Sequence, residues 1–247
     1  MPAPPIVNWT ILKRTDLSKS PSGEVFELKV KRPEGFQFKA GQYISIVIPG
    51  AGPGGRDLRR AYSIASPPEW DEIELCIKKV ENGPGTTYLG SLKEGDHFRG
   101  QGPFGDFVLE HDQSLPSLFI GTGTGIAPLR SMVLSDEWVS KADVGFLLGV
   151  RHEQDTLYPE LFDFPKVFAK HEDVKLVFSR PTENWIQKPN QFKGRVTDYL
   201  RQMTWDTEKT KKAHYYLCGN GEMIKEVKEI LATKGVDKEN IHTEKYY

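Results

Sequence analysis

The chain has 247 residues, enough for two domains of about 100–150 residues each rather than one small core. Its 38% hydrophobic and 27% charged residues are ordinary for a globular chain, and a formal net charge of -1 leaves no global field for nucleic acid or a membrane surface, so any anion site must be local. Two cysteines, Cys76 and Cys218, exclude a disulfide framework and an iron–sulfur cluster, which takes about four thiolates, so any electron carrier is organic or lies on a partner.

The opening Met1-Pro2-Ala3-Pro4-Pro5 has neither a basic flank nor an apolar run, and no apolar stretch approaches a membrane span, so a cytoplasmic protein without membrane contact is expected. The first ~110 residues read as strands and turns. Glu24 to Lys31 interleaves Val25, Leu28 and Val30 with charges, and Gln42 to Ile48 is β-branched and aromatic. Arg60-Ala61-Tyr62-Ser63 follows a loop and starts an extended segment; Ile73, Leu75 and Ile77 then alternate with Glu72, Glu74, Cys76 and Lys78. Turn clusters at Pro33 to Gly35, Pro49 to Gly55 and Asn82 to Gly85 separate these runs. Short strands at this spacing predict an antiparallel barrel.

Glu110 to Pro116 is polar and reads as the junction, which places the expected domains at 1–112 and 113–247. Beyond it the pattern changes. Ser117 to Gly121 is a short apolar strand, and a helical pattern runs from Ile126 to Trp138. Val144 to Gly149, Val174 to Phe178 and His214 to Cys218 are further buried-type strands. An amphipathic helix follows the last, with Met223, Ile224, Val227, Ile230 and Leu231 on one face and Gly235 as its stop. Strands alternating with helices predict a doubly wound parallel α/β sheet.

The strand ending at Gly121 runs through Thr122, Gly123, Thr124 and Gly125 into a helix. Such a turn offers backbone N–H groups and a positive dipole end to a phosphate. Ile126 stands where the G-x-G-x-x-G pattern has its third glycine, and a ligand-free strand-to-helix turn is the alternative reading. In an NAD site the next strand usually ends in an acid for the ribose 2′-hydroxyl, whereas arginine suits a 2′-phosphate. Here the next strands end in Arg151 and in Ser179-Arg180, and Arg195 follows in Lys193-Gly194-Arg195-Val196. Arginine grips phosphate bidentately and serine adds a donor, which favours NADP(H) over NAD(H), although Glu153 and Asp155 stand close to Arg151. In the first domain, Tyr62 could stack on a flavin, Arg60 pair with its pyrophosphate and Ser63 reach its N5, but four residues alone do not separate this from an ordinary barrel strand.

Taken in order, the motifs resemble the ferredoxin–NADP(+) reductase family, in particular its bacterial ferredoxin/flavodoxin members, over nearly the whole chain. They are Phe38 to Tyr43, Arg60 to Ser63, Cys76 to Lys78, Gly83 to Thr87, Gly102 to Gly105, Gly121 to Pro128, Cys218 to Gly221 and Glu244 to Tyr247. The resemblance implies a two-domain fold, an antiparallel β-barrel for FAD followed by an α/β doubly wound parallel sheet for NADP. It implies that Arg60 and Thr86, with Gly85 and Thr87, hold the FAD pyrophosphate. Tyr62, beside Ala61, would stack on the flavin with Ser63 near N5, and Cys76, Ile77 and Lys78 would touch it through backbone. Gly123, Thr124 and Gly125 would cradle the NADP pyrophosphate, and Arg151, Ser179, Arg180 and Arg195 would take the 2′-phosphate. Tyr246, two residues after Glu244 and followed by Tyr247, would cover the other flavin face and act as a gate. Glu244 would position the nicotinamide and Cys218 would line the pocket. The implied reaction is hydride transfer between nicotinamide C4 and flavin N5, with ferredoxin or flavodoxin as transient partner of a monomer; no metal and no nucleic acid is expected. Lys78, Lys79, Arg56 and Arg59 are candidates for a basic rim facing such an acidic partner. The alternative is a stand-alone flavin reductase component of an oxygenase system.

Overall fold

The computed structural model describes residues 3–109, 115–136, 144–162 and 174–246. By contacts the chain divides into two units, Met1–Leu109 with Arg130–Asp136, and Glu110–Leu129 with Glu137–Tyr247. The expected boundary at residue 112 falls outside the described residues, and Arg130–Asp136 group with the first unit although they follow it in sequence.

The first unit is a six-stranded sheet of β1 (Ile6–Ser20), β2 (Gly23–Lys31), β3 (Tyr43–Ile48), β4 (Leu58–Ser63), β5 (Glu72–Lys78) and β6 (His97–Phe104), with one helix, α1 (Pro84–Ser91). The strand order is β4-β3-β6-β1-β2-β5, every pair antiparallel. An antiparallel bridge between Ile64 and Leu75 brings the two ends of that order together, so the sheet curls into a barrel. Inside it Trp9, Phe26, Leu28, Val30, Ile44, Ile46, Leu75 and Phe98 form one buried cluster. In β2 the core-facing set is Phe26, Leu28 and Val30, each fully buried. Strand β1 lacks a clean two-residue alternation because its register with β2 shifts between Ile11 and Lys13 and again between Asp16 and Ser18; each irregularity moves the side chains onto the other face.

The second unit is a parallel sheet in the order β10-β9-β8-β7-β11-β12. Its strands are β7 (Ser117–Thr122), β8 (Val144–Val150), β9 (Val174–Phe178), β10 (Gln191–Lys193), β11 (His214–Asn220) and β12 (Ile241–Tyr246). Its helices among the described residues are α2 (Ile126–Val133), whose residues from Arg130 group with the first unit, α3 (Val196–Gln202), α4 (Thr207–Lys212) and α5 (Gly221–Thr233). Both faces of the sheet are buried, as a parallel sheet requires. On one face Ile120, Leu147, Val177 and Leu217 meet Val227 and Leu231 of α5. On the other, Phe146, Phe119, Tyr216 and His242 lie in register across four strands, with ring centroids 6.3, 5.0 and 4.7 Å apart. The Asn220 side chain caps α5 by accepting from the Glu222 and Met223 N–H groups, and Gly235, at φ +76°, ends it. The chain returns from β10 to pair β11 with β7, so strand order reverses between β7 and β11, where a doubly wound sheet opens its ligand crevice. No helix of the described residues is long and apolar enough to cross a membrane.

Candidate functional site

The expected site residues fall into two groups, one in each unit. In the first unit, Arg60, Ala61, Tyr62 and Ser63 close β4 rather than open an extended segment. Alternation puts Arg60 and Tyr62 on one face and turns Ser63, 7% exposed, to the other. The turn cluster expected at Asn82 to Gly85 runs into helix α1, with Gly83 at the N-cap and Pro84 in the first turn. Proline suits that place because the first N–H groups of a helix lack an intrahelical acceptor in any case.

The helix start packs directly on β4. A Cβ at Gly85 would stand 2.7 Å from the Tyr62 hydroxyl oxygen and 3.2 Å from Arg60 Cγ, so any larger residue would push these side chains aside. The Thr86 hydroxyl accepts from the Val80 N–H at 3.1 Å and lies 3.2–3.3 Å from the Gly83 and Val80 carbonyls, so it shapes the turn. Thr87 closes the first helical bond, its N–H donating to the Gly83 carbonyl. Arg60 and the amino end of α1 thus stand together as a local anion-attracting pair. Burial pushes the Tyr62 phenol up to about 12, only partly opposed by the neighbouring Arg60 charge.

Cys76, Ile77 and Lys78 end β5, the last strand in the order. The Glu74 carbonyl accepts from the Ala65 N–H at 2.8 Å on the side away from β2. Two and four residues on, Cys76 and Lys78 turn their backbone groups to that same side. Of the rim candidates, Lys79 pairs with Glu24 at 3.1 Å and Arg59 donates to Gln101, while Arg56 and Lys78 are exposed with no ion pair among the described residues.

In the second unit, Gly121 and Thr122 end β7, and Gly123 to Gly125 form a single 3-10 turn that leads into α2. This turn is locked against β11 across the switch point. A Cβ at Gly125 would stand 2.3 Å from the Cys218 carbonyl oxygen, and one at Gly219 2.3 Å from the Thr122 hydroxyl. The Asn220 N–H donates to the Thr122 hydroxyl oxygen at 3.0 Å. Two chain segments nearly a hundred residues apart are therefore in direct contact.

Arg151, Ser179, Arg180 and Arg195 stand at the carboxyl ends of β8, β9 and β10. The Arg180 N–H donates to the Arg151 carbonyl at 2.7 Å and the Ser179 N–H to that of Val150 at 3.0 Å; the Gly194 N–H donates to Phe178 at 2.9 Å and brings Arg195 alongside. All four are exposed, and no ion pair among the described residues engages the three guanidinium groups. The two nearby acids have other work. Glu153 accepts from the Thr182 hydroxyl at 2.6 Å and its N–H at 3.1 Å, and Asp155 accepts from the His152 N–H at 2.9 Å. Against the upward push of burial, the bonds from Thr182 hold the Glu153 carboxyl below its ordinary value.

The tail is a strand. β12 pairs with β11 in parallel, setting Glu244 opposite Cys218 and Tyr246 opposite Asn220. Cys218 is fully buried, and burial, with Glu244 adding to it, pushes its thiol well above the ordinary value, while a hydrogen bond with Tyr246 opposes this. A thiol whose ionisation is suppressed is a poor nucleophile, so this setting does not activate Cys218. Tyr247 lies outside the described residues, as does Trp138 of the expected helix. Sequence reasoning missed the turn-building roles of Thr122 and Asn220; an Asn before Gly-Glu and a helical run was the available N-cap signal.

Two family models match: an oxidoreductase FAD-binding domain over residues 9–109 and an oxidoreductase NAD-binding domain over residues 119–229. The chain is 32% identical over 227 residues to a ferredoxin–NADP reductase B of Sorangium cellulosum, covering 90% of this chain and 91% of that one. It is 30% identical to the reductase component of a phenol 2-monooxygenase of a Pseudomonas species, over 92% of this chain but only 62% of the longer relative. Among solved structures, a ferredoxin–NADP+ reductase from Plasmodium falciparum with 2′P-AMP superimposes with a TM-score of 0.77 at 25% identity, covering 98% of this chain and 96% of that one.

Proposed function

The chain belongs to the ferredoxin–NADP reductase family of FAD- and NAD-binding oxidoreductases, and we propose that it passes electrons between NADP(H) and a small one-electron carrier protein, a ferredoxin or flavodoxin. The observation that carries the NADP(H) choice is the set of three arginines at the ends of three adjacent strands, with the two nearby acids turned to local hydrogen bonds.

The residues present fit both groups. Glycine at 85 lets the amino end of α1 stand against Arg60, which suits a pyrophosphate, and glycine at 125 lets the turn before α2 close on β11 at the switch point, where its N–H groups suit a second. When bound, FAD supplies a hydride acceptor that afterwards gives up electrons singly; the protein supplies orientation and exclusion of water. Arg60 and the first-turn N–H groups at Gly85 and Thr86 bind the flavin's pyrophosphate, with the Thr86 hydroxyl and Thr87 N–H fixing the turn that presents them. The Tyr62 ring, beside Ala61, gives the isoalloxazine a face to stack on. Ser63 would stand near N5, and Cys76, Ile77 and Lys78 would contact the ring through backbone. Gly123, Thr124 and Gly125 bind the dinucleotide pyrophosphate, and Arg151, Ser179, Arg180 and Arg195 bind the 2′-phosphate. Glu244 orients the nicotinamide, Cys218 lines its pocket as a neutral thiol, and Tyr246 gates its entry.

The test is the visible spectrum of the purified protein and its response to NADPH or NADH without oxygen. Fast bleaching of a flavin band by NADPH and slow bleaching by NADH is expected. A colourless protein that takes up no FAD overturns the reading. Fast bleaching by NADH favours the second reading, a flavin reductase component of an oxygenase system, which the phenol 2-monooxygenase relative supports.

A further inference from the structure

Arg130 is a charged residue that the proposed chemistry does not use, yet it is 5% exposed. Its Nη1 donates to the Ala65 carbonyl at 2.8 Å and to the Glu74 carboxylate at 2.7 Å. Its guanidinium lies 5.4 Å from the Trp70 ring centroid, a cation–π contact. Glu74 is also 5% exposed, and its other oxygen stands 3.5 Å from Lys29 Nζ. Beside this pair the Ser131 hydroxyl donates to the Ser66 carbonyl at 2.7 Å, and the Ser66 hydroxyl accepts from the Glu74 N–H at 3.1 Å.

The positions of the two acceptors give the pair a meaning beyond packing. Ala65 lies two residues beyond Ser63, and Glu74 lies two residues before Cys76. Between them sits the Ile64–Leu75 bridge that closes the barrel. A buried ion pair is weak evidence for stability, because desolvation offsets the attraction, and an apolar pair of similar size often serves as well. What an apolar pair could not do is donate to the Ala65 carbonyl.

We propose that Arg130 is a positioning residue for the flavin: by holding Ala65 and Glu74 with one nitrogen, it fixes the spacing between the Arg60–Ser63 segment and the Cys76–Lys78 edge. This rests on the flavin reading of those two segments. Arg130 touches neither cofactor nor substrate in this role; it acts through the two strands.

The experiment compares FAD affinity, by fluorescence quenching on the FAD-stripped full chain, with the melting temperature of the same stripped chain, for Arg130→Met, Glu74→Leu, the double variant and Glu74→Gln. Arg130→Met is expected to lower the melting temperature and to weaken FAD binding at least tenfold. The double variant, which buries no charge, is expected to regain the melting temperature but not the FAD affinity. Glu74→Gln, which is isosteric and still accepts from Arg130, is expected to melt lower yet bind FAD within about threefold of the unaltered chain. Recovery of FAD affinity in the double variant, or loss of affinity in Glu74→Gln in step with its stability, would overturn the positioning role and leave the flavin reading intact. Should the double variant not fold, Glu74→Gln decides alone. Failure of the unaltered chain to bind FAD overturns both.

Discussion

Gly125→Ala probes the crevice most directly. The added methyl would lie 2.3 Å from the Cys218 carbonyl oxygen, 2.6 Å from its carbon and 2.8 Å from the Gly219 Cα. Non-bonded carbons settle at about 3.5–4.0 Å, so the turn and β11 would have to part by about 1 Å. The obstructing atoms are backbone of a strand paired on both sides, with β7 and with β12, so no side chain can rotate out of the way. Overpacking typically costs about 1–3 kcal/mol, and this site belongs at the upper end. A loss of ~3 kcal/mol lowers the melting temperature by roughly 6–12 °C for a chain of this size. The displaced turn is the proposed pyrophosphate cradle, so the KM for NADPH should rise about tenfold or more, the equivalent of ~1.4 kcal/mol. Gly123→Ala is the control, because no atom lies within 4 Å of its methyl and its φ of +54° is the main obstacle, worth roughly 1–2 kcal/mol. Calorimetry and anaerobic stopped-flow flavin reduction read both effects. A Gly125→Ala protein that melts within about 2 °C of the unaltered chain, on the same scale of degrees per kcal/mol, with an unchanged KM, would refute the reasoning.

Three further outcomes follow from the site. Arg180→Glu should raise the KM for NADPH about 10- to 100-fold, the equivalent of roughly 1.5–3 kcal/mol for a lost charge-assisted bond, while NADH is little affected; equal losses for both nucleotides would remove the 2′-phosphate role. Tyr246→Ala should tighten NADP+ binding in a difference-spectrum titration, since the gate no longer competes for the nicotinamide's place, and an unchanged Kd would count against gating. Alkaline stability should fall in a defined window. Burial, only partly opposed by a side-chain hydrogen bond with Thr210, pushes the Tyr215 phenol up to about 12. Above pH 10 the unfolded chain therefore loses a proton that the folded chain keeps, so stability drops as pH rises, by up to about 1.4 kcal/mol per pH unit until pH 12, and this phenol costs almost nothing below 10. Cys218 acts in the same direction above its ordinary 9.0. Urea unfolding between pH 9 and 11.5 should show a shallower fall for Tyr215→Phe; identical slopes would show that this phenol does not contribute.

The sequence by itself determined the elements whose pattern is local. The glycine turn before α2 and the apolar face of α5 follow from spacing alone, as do the buried-type strands of the second unit. It also determined the arginines at the strand ends, because a residue that follows an apolar run stands at the end of that strand. What it left open was set by contacts far apart in the chain. β1 hid its strand nature behind two register shifts that only its pairing with β2 defines. The run at Asn82 to Gly85 has a turn's composition, yet it leads into a helix that packs on Tyr62 and Arg60. Glu74 sits in an alternating pattern as though it faced water, yet it is buried because Arg130, 56 residues on, neutralises it. The need for glycine at 125 comes from a carbonyl at 218. Charge pairing and close backbone approach depend on distances in space, which composition and periodicity do not encode; the local turns and faces depend on neighbours along the chain, which they do.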